Sequence, residues 1–165
     1  MKKFMVALML CLVSIMGFGQ LNVQTVEEYA GYKTVCKINC VATYVGEVRF
    51  ITGTGYVLFG KTDNQFEKNM TSIVLGMTKE SAILTLKDIR DLKESSSVGD
   101  VLVVKGFGDK PTKIICVRDF GKNLAIKTEG VAGSSNILSY VTNTNTYYDK
   151  MVSAINAFDE SQLVK

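Results

Sequence analysis

A chain of 165 residues with 19 basic and 16 acidic side chains carries a formal net charge of +3, too little for the electrostatic footprint that nucleic-acid binding requires. It contains no histidine, which removes the Ser-His-Asp triad, the Cys-His pair and the ordinary catalytic zinc site. Its length suits one domain built around one core.

The N-terminus reads as a secretory signal. Lys2 and Lys3 precede an apolar run from Phe4 to Met16, and Gly17-Phe18-Gly19 supplies small residues two apart, so cleavage is expected after Gly19. The run is shorter than the roughly 20 residues a membrane span needs. Cys11 lies inside it, behind Met9-Leu10 rather than small residues, which argues against lipid attachment there. Loss of Lys2 and Lys3 lowers the net charge from +3 to +1. The expected organisation is a signal peptide over 1–19 and a single globular domain over 20–165, exported to a periplasm or secreted, with no membrane span after cleavage.

Gln20 to Gly31 shows little periodicity and reads as a lead-in. From Lys33 to Tyr44 the apolar positions Cys36, Ile38, Cys40, Ala42 and Tyr44 alternate with Lys37, Asn39 and Thr43, the period-two pattern of a half-buried strand. Val45-Gly46 reads as a tight reversal into a second long strand carrying Val48 and Phe50. Gly53-Thr54-Gly55 marks a bulge or bend within that strand, which resumes at Tyr56 to Phe59. The polar stretch Lys61 to Asn69 is expected as a loop and Ser72 to Met77 as a strand.

Thr78 opens a helix signal, with Glu80 in the first turn, Ala82, Ile83, Leu86 and Ile89 at helical spacing, and Lys93 in the last turn. The competing reading makes Ile83 to Leu86 a short strand. Four further strands are expected at Val101 to Val104, Lys113 to Val117, Leu124 to Thr128 and Ile137 to Val141, separated by turn-rich connections, one of which holds Pro111. Thr146 and Asp149 suggest a capping box opening a last helix, whose apolar stripe is Tyr148, Met151, Ile155 and Phe158.

These elements give an α+β fold: a coiled antiparallel sheet of about six to seven strands, covered by one or two helices including the C-terminal amphipathic one. A seven-stranded antiparallel sheet closed by such a helix also resembles pleckstrin-homology-like domains, so a barrel of that kind is the alternative. The resemblance is one of plan alone and implies no function.

Gly55 to Thr62 satisfies G-x-x-x-x-G-K-[ST], the phosphate-loop pattern. Its variable positions are Tyr56, Val57, Leu58 and Phe59, which favour a strand and would place bulky side chains where phosphates sit. Asp63-Asn64-Gln65 follows without helical periodicity. The stretch is therefore expected to be buried strand, with no helix beginning at Lys61.

Three cysteines remain after cleavage. Cys36 and Cys40 on one strand lie about 13 Å apart at about 3.3 Å per residue, too far to pair with each other. Cys116 with Cys36 or Cys40 is the possible disulfide in an oxidising compartment, and buried free thiols are the other reading. The C-x-x-x-C spacing on a strand is poor for chelating one ion, so no metal site is expected. Asp88, Arg90, Asp91, Lys93 and Glu94 read as the solvated face of a helix, and Asp63, Asp100, Asp109 and Asp119 as turn residues. Tyr147-Tyr148 with the run Thr142 to Thr146 reads as a linker and first helical turn, or as a glycan- or peptide-binding surface. Asn69-Met70-Thr71 matches the glycosylation acceptor pattern.

No catalytic constellation and no cofactor motif emerges. The expected function is that of a small exported, non-enzymatic binding or envelope-associated structural protein with an unknown protein or glycan partner. The alternative is a cell-envelope enzyme or enzyme inhibitor that uses carboxylates or a Ser-Lys pair.

Overall fold

The computed structural model describes residues 31–119 and 121–163. The described residues from Lys33 onward belong to one compact unit. The expected signal sequence and, apart from Gly31, the lead-in lie outside the described residues.

Seven strands and three α-helices are described: β1 (Tyr32–Cys40), β2 (Thr43–Ile51), β3 (Gly55–Gly60), β4 (Thr71–Gly76), α1 (Lys79–Ser95), β5 (Val101–Lys105), β6 (Pro111–Arg118), β7 (Lys122–Thr128), α2 (Ile137–Asn143) and α3 (Asn145–Ala157). Short 3-10 turns occupy Phe107–Asp109 and Glu160–Leu163. The fold is α+β. The strands form two antiparallel sheets, β1-β2-β3-β4 and β5-β6-β7, where sequence patterning suggested one coiled sheet. Neither sheet closes into a barrel, so the pleckstrin-homology-like alternative does not hold. The break falls where the 17-residue α1 carries the chain from β4 to β5, leaving both strands as sheet edges.

One apolar cluster joins the inward faces of both sheets to all three helices. It includes Ile38, Val48, Tyr56, Leu58 and Ile73 from the first sheet and Ile114, Cys116, Leu124 and Ile126 from the second. The helices contribute Leu86 and Ile89, Leu138 and Val141, and Met151 and Ile155. Burying each such side chain stabilises the fold by about 1.5–3 kcal/mol before chain entropy is counted.

α1 forms as its sequence predicts. Thr78 accepts a hydrogen bond from the Ser81 amide at 3.3 Å and its own amide donates to Ser81 Oγ at 3.1 Å, closing a capping box. The strand alternative for Ile83 to Leu86 is thereby set aside.

Other boundaries move. The first reversal lies at Val41-Ala42, with Val41 exposed at φ 55°, and Gly46 sits inside β2. A Cβ at Gly46 would stand 2.2 Å from the Phe59 carbonyl oxygen and 2.3 Å from Ile137 Cδ1, so the glycine serves close packing and not a turn. Gly53-Thr54 forms the hairpin between β2 and β3, where the Thr54 amide donates to the Ile51 carbonyl at 3.0 Å. Gly53 takes the positive φ of 79° that this turn requires. The bulge lies instead on β4, where the partners step from Tyr56↔Gly76 to Val57↔Val74.

Ile137 to Val141 is helix, not strand: Ile137, Leu138 and Val141 are buried together on one helical face. α3 begins at Asn145 with Thr144 at its N-cap, so Thr146 lies within the first turn and the Thr146–Asp149 box does not form.

The two sheets meet through hydroxyls. Ser72 on β4 donates its amide to Thr128 Oγ1 at 3.0 Å, and Thr128 Oγ1 also bonds Thr112 Oγ1 at 3.0 Å. The Phe107 amide, just past β5, donates to Ser72 Oγ at 2.9 Å. All three hydroxyl residues are buried.

Candidate functional site

β5 reads Val101-Leu102-Val103-Val104-Lys105, four apolar residues without alternation, a pattern that ordinarily signals a strand covered on both faces. Yet Val101, Leu102 and Val103 are 53%, 46% and 62% exposed. Among the described residues the strand pairs only with β6.

The ladder tells which backbone groups point outward. In the hairpin joining β5 to β6 the Gly106 amide donates to the Lys110 carbonyl, and at the far end the Cys116 amide donates to the Asp100 carbonyl, both at 2.9 Å. Antiparallel pairs alternate between bonded and non-bonded, so Leu102↔Ile114 and Val104↔Thr112 are the bonded pairs. Pro111 fits this assignment: it has no N–H to give Lys105, and its carbonyl turns to β7, accepting from Glu129 at 3.0 Å. Val101 and Val103 therefore turn their N–H and C=O groups away from the sheet. Among the described residues no hydrogen bond reaches those groups.

The remaining edges are engaged at particular residues. On β1, the carbonyls of Lys37 and Asn39 accept from Lys150 Nζ at 2.8 Å and Tyr147 Oη at 3.1 Å, both on α3. On β7, Ile126 exchanges two backbone hydrogen bonds with Ser135, at 2.8 and 2.9 Å. On β4, Ser72 is held by Thr128. Natural sheets cover, charge or bend their edges to prevent uncontrolled pairing. β5 carries only Lys105 at its end, and that lysine is engaged with Asp109 at 2.6 Å.

Beside this edge lies a groove of about 430 Å³ between α1, β4 and β5. Its apolar lining comes from Ile73 and Val74 on β4, Leu102 and Val104 on β5, Ile114 on β6, and Ile89 and Leu92 on α1. Thr85, Asp88, Asp91 and Ser95 of α1 form its polar rim. Asp88 and Asp91, three residues apart, share a helical face about 4.5 Å along the axis. Both are exposed, and among the described residues neither joins an ion pair. Of the four cations of α1, Lys79 donates to the Asn156 carbonyl at 3.0 Å, Lys93 donates to Asn143, and Arg90 donates to Asn145 at 2.9 Å and stacks 4.3 Å from the Tyr148 ring centre, while Lys87 borders a separate surface pocket with Asp91. Among the described residues no lysine or arginine lines the groove.

The residues singled out from sequence have other places. Tyr56 to Phe59 is buried strand and no helix begins at Lys61, so the phosphate-loop pattern has no phosphate-loop structure. Cys36, Cys40 and Cys116 are free thiols, with Cys36 and Cys116 buried in the core; burial raises the Cys36 pKa. Among the described residues no group of His, Cys, Asp or Glu is placed to hold a metal ion. Tyr147 caps the β1 edge and Tyr148 stacks beneath Arg90, roles within the fold for both. Asn69 is exposed in its loop, while Thr71 is buried with its hydroxyl donating to the Gly60 carbonyl at 3.1 Å. Asp88 and Asp91 do belong to a wet helical face, but one that overlooks an apolar groove. No described helix is long and apolar enough to cross a membrane.

Sequence reading found β5 as a strand and missed it as a site. The unbroken run Val101 to Val104 is the pattern of a strand covered on both faces, so nothing in it marked an exposed edge. Comparison of the chain with protein-family models, with curated proteins and with solved structures found no match.

Proposed function

We propose that this chain is an exported, non-enzymatic binding domain, periplasmic or secreted, that captures an extended polypeptide by adding it as a fourth strand to the β5-β6-β7 sheet. The observation that carries the reading is the open edge of β5: two outward N–H and C=O pairs, at Val101 and Val103, on an exposed apolar strand flanked by an apolar groove. In strand addition, main-chain hydrogen bonds supply affinity and pockets for alternate side chains supply selectivity. Both components are present side by side. The reading accounts for an apolar strand left uncovered while the edges of β1 and β7 are engaged and that of β4 is held at Ser72.

The test is a panel of synthetic peptides of about seven to nine residues with alternating apolar and polar positions, a length that spans β5 with a residue or two to spare. Binding to the purified exported chain is measured by fluorescence anisotropy. Members of the panel are expected to bind, and Val103→Pro, which removes an outward N–H, is expected to abolish that binding with the circular dichroism spectrum unchanged. Failure of every peptide to bind, or undiminished binding to Val103→Pro, overturns the reading. Export is tested separately: the N-terminal residue of the secreted or periplasmic chain is expected to be Gln20, and retention of Met1 on a cytoplasmic chain refutes it.

A further inference from the structure

We infer that the segment accepted at this edge is basic: an extended polypeptide with an apolar side chain for the groove and a lysine or arginine on the same face, two positions away. The inference rests on the strand-addition reading above and names the chemistry of its partner.

A strand laid along Val101 and Val103 continues the pleat of β5, so its alternate side chains fall on the same sheet face as Leu102 and Val104. Those two residues line the groove, and so do Asp88 and Asp91. Successive side chains on one face of the incoming strand are about 6.6 Å apart. One of them meets Ile73, Ile89, Leu92 and Ile114, and the next reaches the α1 rim, where two exposed carboxylates lie without an ion-pair partner among the described residues. A cation there gains the attraction of both carboxylates; an anion is repelled by both.

The charge pattern also separates this partner from a second copy of the chain. A second β5 would offer Leu102 and Val104 to the groove, because Lys105 alternates onto the opposite face with Val101 and Val103. Such a pairing would leave Asp88 and Asp91 unanswered.

Two peptides of about nine residues, alike in alternating Val and Thr and differing only by Lys or Glu at one groove-facing position, supply the test. Anisotropy at low salt is expected to give a dissociation constant about fivefold lower for the Lys peptide, the scale of an exposed ion pair. The preference is expected to vanish in the Asp88→Asn/Asp91→Asn double variant and to shrink at high salt. Val103→Pro and Val103→Lys are both expected to abolish binding of either peptide, so that misfolding of one variant leaves the other informative. Equal affinities, or preference for Glu, with binding still sensitive to Val103→Lys would overturn the basic partner and leave strand addition standing. Binding insensitive to both Val103 variants, or absent altogether, would overturn strand addition itself. A concentration-dependent dimer in sedimentation that Val103→Lys dissolves would overturn the inference by making a second copy the occupant.

Discussion

Gly46 occupies the middle of β2 because a side chain there has no room, with backbone on one side and Ile137 of α2 on the other. Gly46→Ala is expected to lower stability by about 2 kcal/mol or more, read as a fall in the thermal midpoint, since overpacking against backbone cannot relax through a rotamer change. The same residue explains why the first reversal was misread: glycine signals both turns and close approach, and only the Ile137 contact, 91 residues away in sequence, tells them apart. Tyr56 is the other decisive single residue. Fully buried, it donates its hydroxyl to Glu160 at 2.8 Å. Burial, then the hydrogen bond to that carboxylate and its charge, raise its pKa far above the ordinary tyrosine range. The folded chain thus keeps the phenolic proton at a pH where the unfolded chain loses it. The stability this provides is complete below about pH 10 and falls as pH rises beyond it. Tyr56→Phe is expected to cost about 1 kcal/mol at neutral pH and to flatten the alkaline limb of a urea-midpoint profile; an unchanged limb would show that another group sets it.

At the scale of elements, legibility follows how local the determining forces are. α1 was readable because its cap, its apolar period and its terminal charges all lie within its own sequence. Thr78→Ala is expected to lower stability by about 1 kcal/mol in denaturant titration, with Thr78→Ser close to neutral. α2 was not readable, because Ile137 to Val141 is rich in strand-favouring residues and becomes helical through what its neighbours bury. β5 lies between these cases. Its strand character was evident, but its position at an edge depends on where the other strands go. The ladder makes a sharp forecast there: in amide hydrogen exchange Val101 and Val103 are expected to exchange rapidly while Leu102 and Val104 between them are protected. Uniform protection along the strand would mean that its outer edge is already engaged.

For the whole molecule, the α+β class and the burial of Tyr56 to Phe59 could be read from patterning, whereas the division into two sheets could not. Patterning records which face of a strand is apolar and is silent on which strands are neighbours. The candidate site inherits that limit, since it exists only where β4, β5 and α1 converge from positions 71–105. Asp88 and Asp91 were identifiable as solvated helix residues, but their relation to an apolar groove was a property of assembly.

The hydroxyls joining the sheets have a consequence beyond cohesion. Ser72, Thr112, Thr128 and the Phe107 amide tie the sheets together at one end of the gap between β4 and β5, and the groove lining begins just beyond them, at Ile73 on β4, Val104 on β5 and Ile114 on β6. The spacing of β4 from the second sheet at that end is thus fixed outside the groove lining, where one threonine hydroxyl serves two partners at once. Thr128 is not itself among the lining residues, so the contacts that hold the sheets together at that end are chemically separate from the carboxylates that would read a guest's charge.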